Sequence, residues 1–234
     1  MPTADPARRW LPRVHEVARR GHYWTRDYVY AAGRLSRTPL DRRIAARYTT
    51  GALAPVVILP GVVEPWTMLL PVVAALHAAG HPVHVIPELS LNLATFADSA
   101  ALVTRTIQDR RLSGVILVAH SKGGLIGKRI LLDDTDGRID RLIAIATPFH
   151  GSGLARFVPS RPIRALRPNE PTILDMAANA HVNARITSIY PGFDPHIPES
   201  SKLDGAANVE VRAMGHFRVL KDPDVLAAVL AAVR

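Results

Sequence analysis

The stretch LVAHSKGGLIGKRIL, from Leu117 to Leu131, sets one hydroxyl, that of Ser121, between glycine-rich shoulders directly after an apolar run. A serine hydroxyl stays unreactive until a neighbouring base takes its proton. If Ser121 is a nucleophile, the chain must bring it a general base of near-neutral pKa and a carboxylate that orients that base. Histidine is the side chain that titrates in that range. The chemistry such a set performs is acyl transfer: the serine oxygen attacks a carbonyl, an acyl-enzyme forms, and water hydrolyses it. The chain has 234 residues, ten of them histidine and none cysteine. Disulfides, thiolate zinc sites and a cysteine nucleophile are therefore excluded together.

The elements that must carry these groups can be read from hydropathy. With 48% apolar and 21% charged residues the composition is globular and of single-domain length. Six short β-rich runs follow residue 50: Pro55 to Gly61, Pro82 to Pro87, Gly114 to His120, Arg141 to Pro148, Arg185 to Gly192 and Asn208 to His216. Several are apolar at consecutive positions, as strands buried on both faces must be. Helical patterns separate them at Trp66 to Ala79, Thr95 to Arg110, Gly124 to Asp133 and Asp222 to Val233. The alternation predicts an α/β fold, a mostly parallel central sheet with helices on both faces and an active site at the carboxyl ends of the strands. Ser121 falls on such an end, between a strand and a helix.

A serine on a sharp strand-to-helix turn needs small residues two before and two after it, and here these are Ala119 and Gly123. The motif AHSKGG resembles the nucleophile elbow of the α/β-hydrolases, in particular the small lipases and carboxylesterases, with Ala119 in place of the first glycine. The resemblance implies the order serine, acid, histidine. It is met by Asp194 in GFDPHIP and His216 in GHF, each after an expected strand. His216 would take the Ser121 proton and return it to the leaving alcohol, and Asp194 would hold the imidazole tautomer. Asp175 and Asp204 are rivals for the acid, one in a helical stretch and the other in a turn leading into the last strand. The resemblance further implies an oxyanion hole from the backbone N–H groups of Lys122 and of Val62, in LPGVVEPW, where relatives often have His-Gly for Pro60 and Gly61. The Lys122 ammonium is expected in solvent and His120 beneath the serine. His150, in TPFHGSG, resembles a turn common in lipase-like members. The family's cap would be the short segment from Gly151 to Arg185, giving an open, shallow site with Trp66, Leu154 and Phe157 as substrate-binding wall residues. The implied activity is carboxylic ester hydrolysis on a small-molecule or lipid ester. An acyltransferase, a thioesterase or a cofactor-free perhydrolase could use the same residues, and a non-catalytic membrane-binding module could be built on the same scaffold.

Residues 1–47 read as a basic N-terminal helical extension to the catalytic domain, residues 48–234. They hold 11 arginines against Asp5, Glu16, Asp27 and Asp41, so most of the formal charge of +9 belongs to them. Trp24, Tyr28, Ala31, Ala32 and Leu35 recur at helical spacing, as do Trp10, Val14, Val17 and Ala18. Such a stripe docks on its own domain or lies in an anionic membrane surface. Nucleic acid is not an expected partner. No cofactor is expected, since a Walker loop and a dinucleotide fingerprint are both absent, and His77, His81 and His84 lack metal-pair spacing. Prolines 55, 60, 65 and 71 interrupt the apolar run from Ala52 to Ala79, and no apolar core of signal-peptide length leads the chain. The expected location is cytoplasmic or peripheral to a membrane.

Overall fold

The computed structural model describes residues 21–36 and 42–234. The expected helix through Trp10, Val14, Val17 and Ala18 lies outside them. The strands are β1 (Val56–Leu59), β2 (Val83–His84), β3 (Val115–His120), β4 (Ile139–Ile145), β5 (Ile186–Phe193) and β6 (Ala207–Met214), one inside each expected run apart from small shifts at the ends. The helices are α1 (21–36), α2 (Leu70–Ala78), α3 (Phe96–Asp109), α4 (Lys122–Asp133), α5 (Arg161–Arg164), α6 (Pro171–Ala178) and α7 (Pro223–Ala232). All five strand pairings are parallel, in the order β2-β1-β3-β4-β5-β6.

Every residue of β1 and of β3 is buried, which is why both read as unbroken apolar runs. Successive side chains still point to opposite faces. Val57, Leu59, Leu117, Ala119, Leu142 and Ala144 join one core with α3, α4 and α6. Val56, Ile58, Ile116, Val118, Ile143 and Ile145 join the other with α2, α7 and Ala31 of α1. Each aliphatic side chain buried this way is worth about 1.5–3 kcal/mol.

Local chemistry fixes the helix ends. Thr95 Oγ1 accepts from the Asp98 amide at 3.1 Å to start α3, and Asp222 Oδ1 accepts from the Asp224 amide at 3.0 Å to start α7. The helix expected over Trp66 to Ala79 is divided into a 3₁₀ turn (Trp66–Leu69) and α2. Pro71 stands at the second position of α2, where its missing N–H has no partner to lose. Among the described residues no helix is long and apolar enough to cross a membrane.

Candidate functional site

β1, β3, β5 and β6 all end on one rim, and the residues that follow them meet there. Ser121 follows β3 with φ 52° and ψ −122°, a backbone region that non-glycine residues rarely occupy. Its N–H is held by the carbonyl of Ile145, the last residue of β4, at 2.9 Å. The turn is possible because α4 passes directly over the end of β1: a Cβ at Gly123 would overlap the carbonyl oxygen of Leu59. Asp194 follows β5, and His216 lies two residues beyond β6. A backbone bond from Gly215 N to Phe193 O, 2.9 Å, sets those two turns side by side.

The side chains then form one hydrogen-bonded line. Ser121 Oγ lies 3.0 Å from His216 Nε2, and His216 Nδ1 lies 2.8 Å from Asp194 Oδ2. The other oxygen of Asp194 accepts from the amides of His196 at 2.7 Å and Ile197 at 3.2 Å. With Asp194 as acceptor, Nδ1 carries the imidazole proton and Nε2 is left to accept from the serine. Burial would raise the Asp194 pKa, but the charge and hydrogen bond of His216 and the His196 amide outweigh it and hold the carboxyl below its ordinary value. Burial opposes the His216 imidazolium, but the Asp194 carboxylate, with Glu64 and Asp27 behind it, raises its pKa above the ordinary value. Of the rivals, Asp175 is exposed on α6, near Arg129, and the Asp204 carbonyl accepts from Asn183.

His196 was not among the sequence candidates. Its ring lies flat on that of His216, with centroids 4.7 Å apart and planes at 4°, and Trp24 stacks on it at 5.8 Å. Burial, then the neighbouring His216, pushes its pKa down to about 3 against the pull of Asp194. A neutral ring therefore backs the imidazole.

The backbone of His216 is held as firmly as its ring. Its carbonyl accepts from His120 Nε2 at 2.9 Å, and His120 Nδ1 meets Glu64 Oε2 at 2.8 Å. His120 thus lies beside the histidine turn, 4.7 Å from the His216 ring, instead of simply beneath the serine. The His216 amide donates to Asp27 of α1 at 2.9 Å. Among the described residues Glu64, His120 and His216 form the one group with donor atoms close enough to hold a metal. Those imidazole nitrogens and that carboxylate are already engaged with one another, with Ser121, with Asp194 and with the His216 carbonyl.

The loop after β1 is organised by the same carboxylate. Glu64 Oε2 accepts from Gly61 N at 3.0 Å, Asn92 Nδ2 donates to the Pro60 carbonyl at 2.7 Å, and Val63 N donates to Leu91 O at 2.8 Å. Val63 is held at φ 60°, an outlier for a β-branched residue. Val62 lines the same cavity as Ser121, and Lys122 opens α4, whose N-terminus favours negative charge. The Lys122 ammonium is not in solvent. It is buried, donates to the carbonyls of Asn92 at 2.8 Å and Ala94 at 2.6 Å, and has its pKa lowered by burial to about 8. The four-carbon stem reaches across α3's leading loop because the elbow turns the side chain inward, a direction the motif alone does not reveal.

Ser121 and His216 open on a cavity of about 550 Å³. Of the three expected wall residues only Leu154 lines it. Trp66 is packed in the core with α2 and α7, and Phe157 faces outward, two-thirds exposed, with the Arg156 guanidinium over its ring. Leu154 and Ala155 of a 3₁₀ turn (Gly153–Phe157), and Val158 just after it, line the cavity. The cap is short, yet the site is not open and shallow, because Trp24, Tyr28, Ala31, Ala32 and Leu35 of α1 supply a further wall. Residues from both sides of the expected boundary at 47/48 therefore enclose one space. Their helical spacing was the signal that could have placed them there.

No protein-family model matches the sequence, and no curated protein matches it. Solved structures do. A lipase from Bacillus licheniformis in its mature form superposes with a TM-score of 0.59 at 16% identity, over 79% of this chain and 92% of that one. A monoacylglycerol lipase from Paleococcus ferrophilus gives 0.58 at 16% identity, over 77% and 96%. The naproxen esterase (carboxylesterase NP) from Bacillus subtilis gives 0.56 at 15% identity, over 79% and 86%. With its all-parallel sheet, its helices on both faces and its strained serine between β3 and α4, the chain has the α/β-hydrolase fold.

Proposed function

We propose that the protein hydrolyses carboxylic esters with apolar acyl groups through an acyl-enzyme on Ser121. The observation that carries this reading is the unbroken line Ser121 Oγ, His216, Asp194, at 3.0 and 2.8 Å, at the mouth of an apolar-walled cavity. His216 Nε2 takes the serine proton as Oγ attacks the ester carbonyl, and Asp194 stabilises the imidazolium. The amides of Val62 and Lys122 receive the oxyanion, each worth about 3–4 kcal/mol of barrier in comparable sites. The alcohol leaves with the proton from His216, and water attacks the acyl-enzyme by the same route in reverse. The likeness to lipases and esterases supports the reaction class at the level of the fold.

The mouth supports a lipid-like substrate. Trp24, Tyr28, Leu35, Val63, Leu154 and Val158 both line the cavity and remain exposed, so they ring its opening. Beside them the segment from His150 to Asn169 carries four arginines and no acidic residue. An apolar rim with a cationic border suits an anionic lipid surface. A fluorophosphonate probe should label the wild type and leave Ser121→Ala unlabelled. p-Nitrophenyl esters from acetate to palmitate then rank acyl length, with hydrolysis expected to favour chains longer than acetate. Labelling that persists in the alanine variant would overturn the reading. Sedimentation with phosphatidylglycerol vesicles, lost when Arg156, Arg161 and Arg164 are changed to glutamate, checks the surface.

A further inference from the structure

Asp27 lies near the middle of α1, in a stretch otherwise rich in arginine, yet its side chain is fully buried. Its two oxygens accept from three successive main-chain amides of the histidine turn: Oδ2 from His216 at 2.9 Å, and Oδ1 from Phe217 at 2.9 Å and Arg218 at 2.8 Å. The turn is shaped around this carboxylate. Gly215 has φ 107°, and a Cβ there would come within 2.6 Å of Asp27 Oδ1. A buried carboxylate is costly unless its lone pairs are satisfied, and three amide donors satisfy these. An apolar residue in its place would leave those three amides without an acceptor, and a turn built to need that acceptor calls for a reason beyond packing. The geometry supplies one. Asp27 holds the N–H of His216 while His120 holds its carbonyl, so both peptide groups flanking the imidazole are fixed from outside the turn.

We infer that Asp27 is a positioning residue for His216: acting through the turn's amides, it sets the imidazole between Ser121 and Asp194 and makes α1 a working part of the site. The inference rests on the reading of Ser121 and His216 as the reacting pair. Misplacement of a reacting group by about 1 Å can cost about 100-fold in rate. In Asp27→Asn one oxygen still accepts, but an NH₂ group replaces the other and faces a donor. A fall in kcat of about 10- to 100-fold with KM within about 2-fold is expected, since the amides and not the cavity wall are disturbed. Asp27→Ala leaves an anion-sized hole lined by three N–H groups, and added formate should restore part of its kcat.

A readout without substrate separates this inference from the proposed activity. The His216 Nδ1 proton, held against Asp194 at 2.8 Å between heavy atoms and shielded from solvent, should give a far-downfield proton resonance. It should shift or broaden in Asp27→Asn and stay in place in Val29→Ala, on the exposed side of the same helix and outside the cavity. If the wild type is never labelled at Ser121, the acyl-enzyme reading fails while this resonance still tests Asp27. Three results would overturn the positioning role: Asp27→Asn with kcat within about 2-fold of wild type and an unmoved resonance, Asp27→Ala that no formate rescues, or unfolding of both variants, which would assign Asp27 to stability alone.

Discussion

Ser121 and His216 stand 3.0 Å apart and are held there by opposite means. The serine is placed by its own neighbours in the chain: Val115–His120 behind it, Lys122–Asp133 ahead, and Gly123 allowing the helix to pass over Leu59. The histidine turn also follows a strand, β6, but its hydrogen bonds come from far along the chain. It is held by Asp194, 22 residues back, by His120, 96 residues back, and by Asp27, 189 residues back. One half of the pair is therefore as secure as the sheet, and the other is only as secure as the packing of three distant segments against it. Local geometry survives partial loosening of a fold better than geometry assembled across it.

This contrast can be broken at either side. The largest effect is expected from Asp194→Asn, which removes the carboxylate that fixes the imidazole tautomer: kcat should fall about 1,000- to 10,000-fold with the fold intact by circular dichroism. Gly123→Ala attacks the serine side. Its Cβ has no room against Leu59, so it should cost about 1–3 kcal/mol of stability, read as a lower urea midpoint, and slow fluorophosphonate labelling as well. The pH profile sharpens the histidine side. His216 must be neutral to accept the proton, and its pKa lies above 6.5, so kcat/KM should rise with pH with the midpoint of its acid limb above that value. In the residual activity of Asp194→Asn the main group favouring the imidazolium is gone and burial prevails, so the limb should move to lower pH.

The smallest effect lies away from both. Lys128 is buried on α4 and its pKa is lowered by burial to about 8 from 10.5. Between those values the unfolded chain holds a proton that the folded chain has released, so this group makes stability rise with pH over that window. Lys128→Met should raise the urea midpoint near neutrality and reduce that slope. Lys122 contributes in the same direction, so the slope should not vanish.

The same distinction explains what could be read from the sequence. Strands buried on both faces, such as VILVAH, are visible in one dimension, and so is an elbow whose requirements lie within two residues of Ser121. Asp194 and His216 were legible because each directly follows a strand end. Asp27 was not, because its partners are main-chain amides, which carry no sequence signature, at the far end of the chain. In the sequence it counts as one acid among 11 arginines. Glu64 and the Lys122 ammonium escaped likewise: a charged residue in a loop or at a helix start looks solvated until the fold closes over it. Trp66 and Phe157 show the reverse error, since an apolar residue after a strand has the same letter whether it turns into the core, into a cavity or outward.

Trp24, Asp27 and Tyr28 share one stretch of α1, two of them against the cavity and the third against the histidine turn. A ligand wide enough to press the two rings outward must carry their helix with it, and the carboxylate withdraws from the amides it serves. Under the proposed activity, oversized esters would then still be captured but seldom converted, so size selection would register as a decline in turnover and leave little mark on affinity.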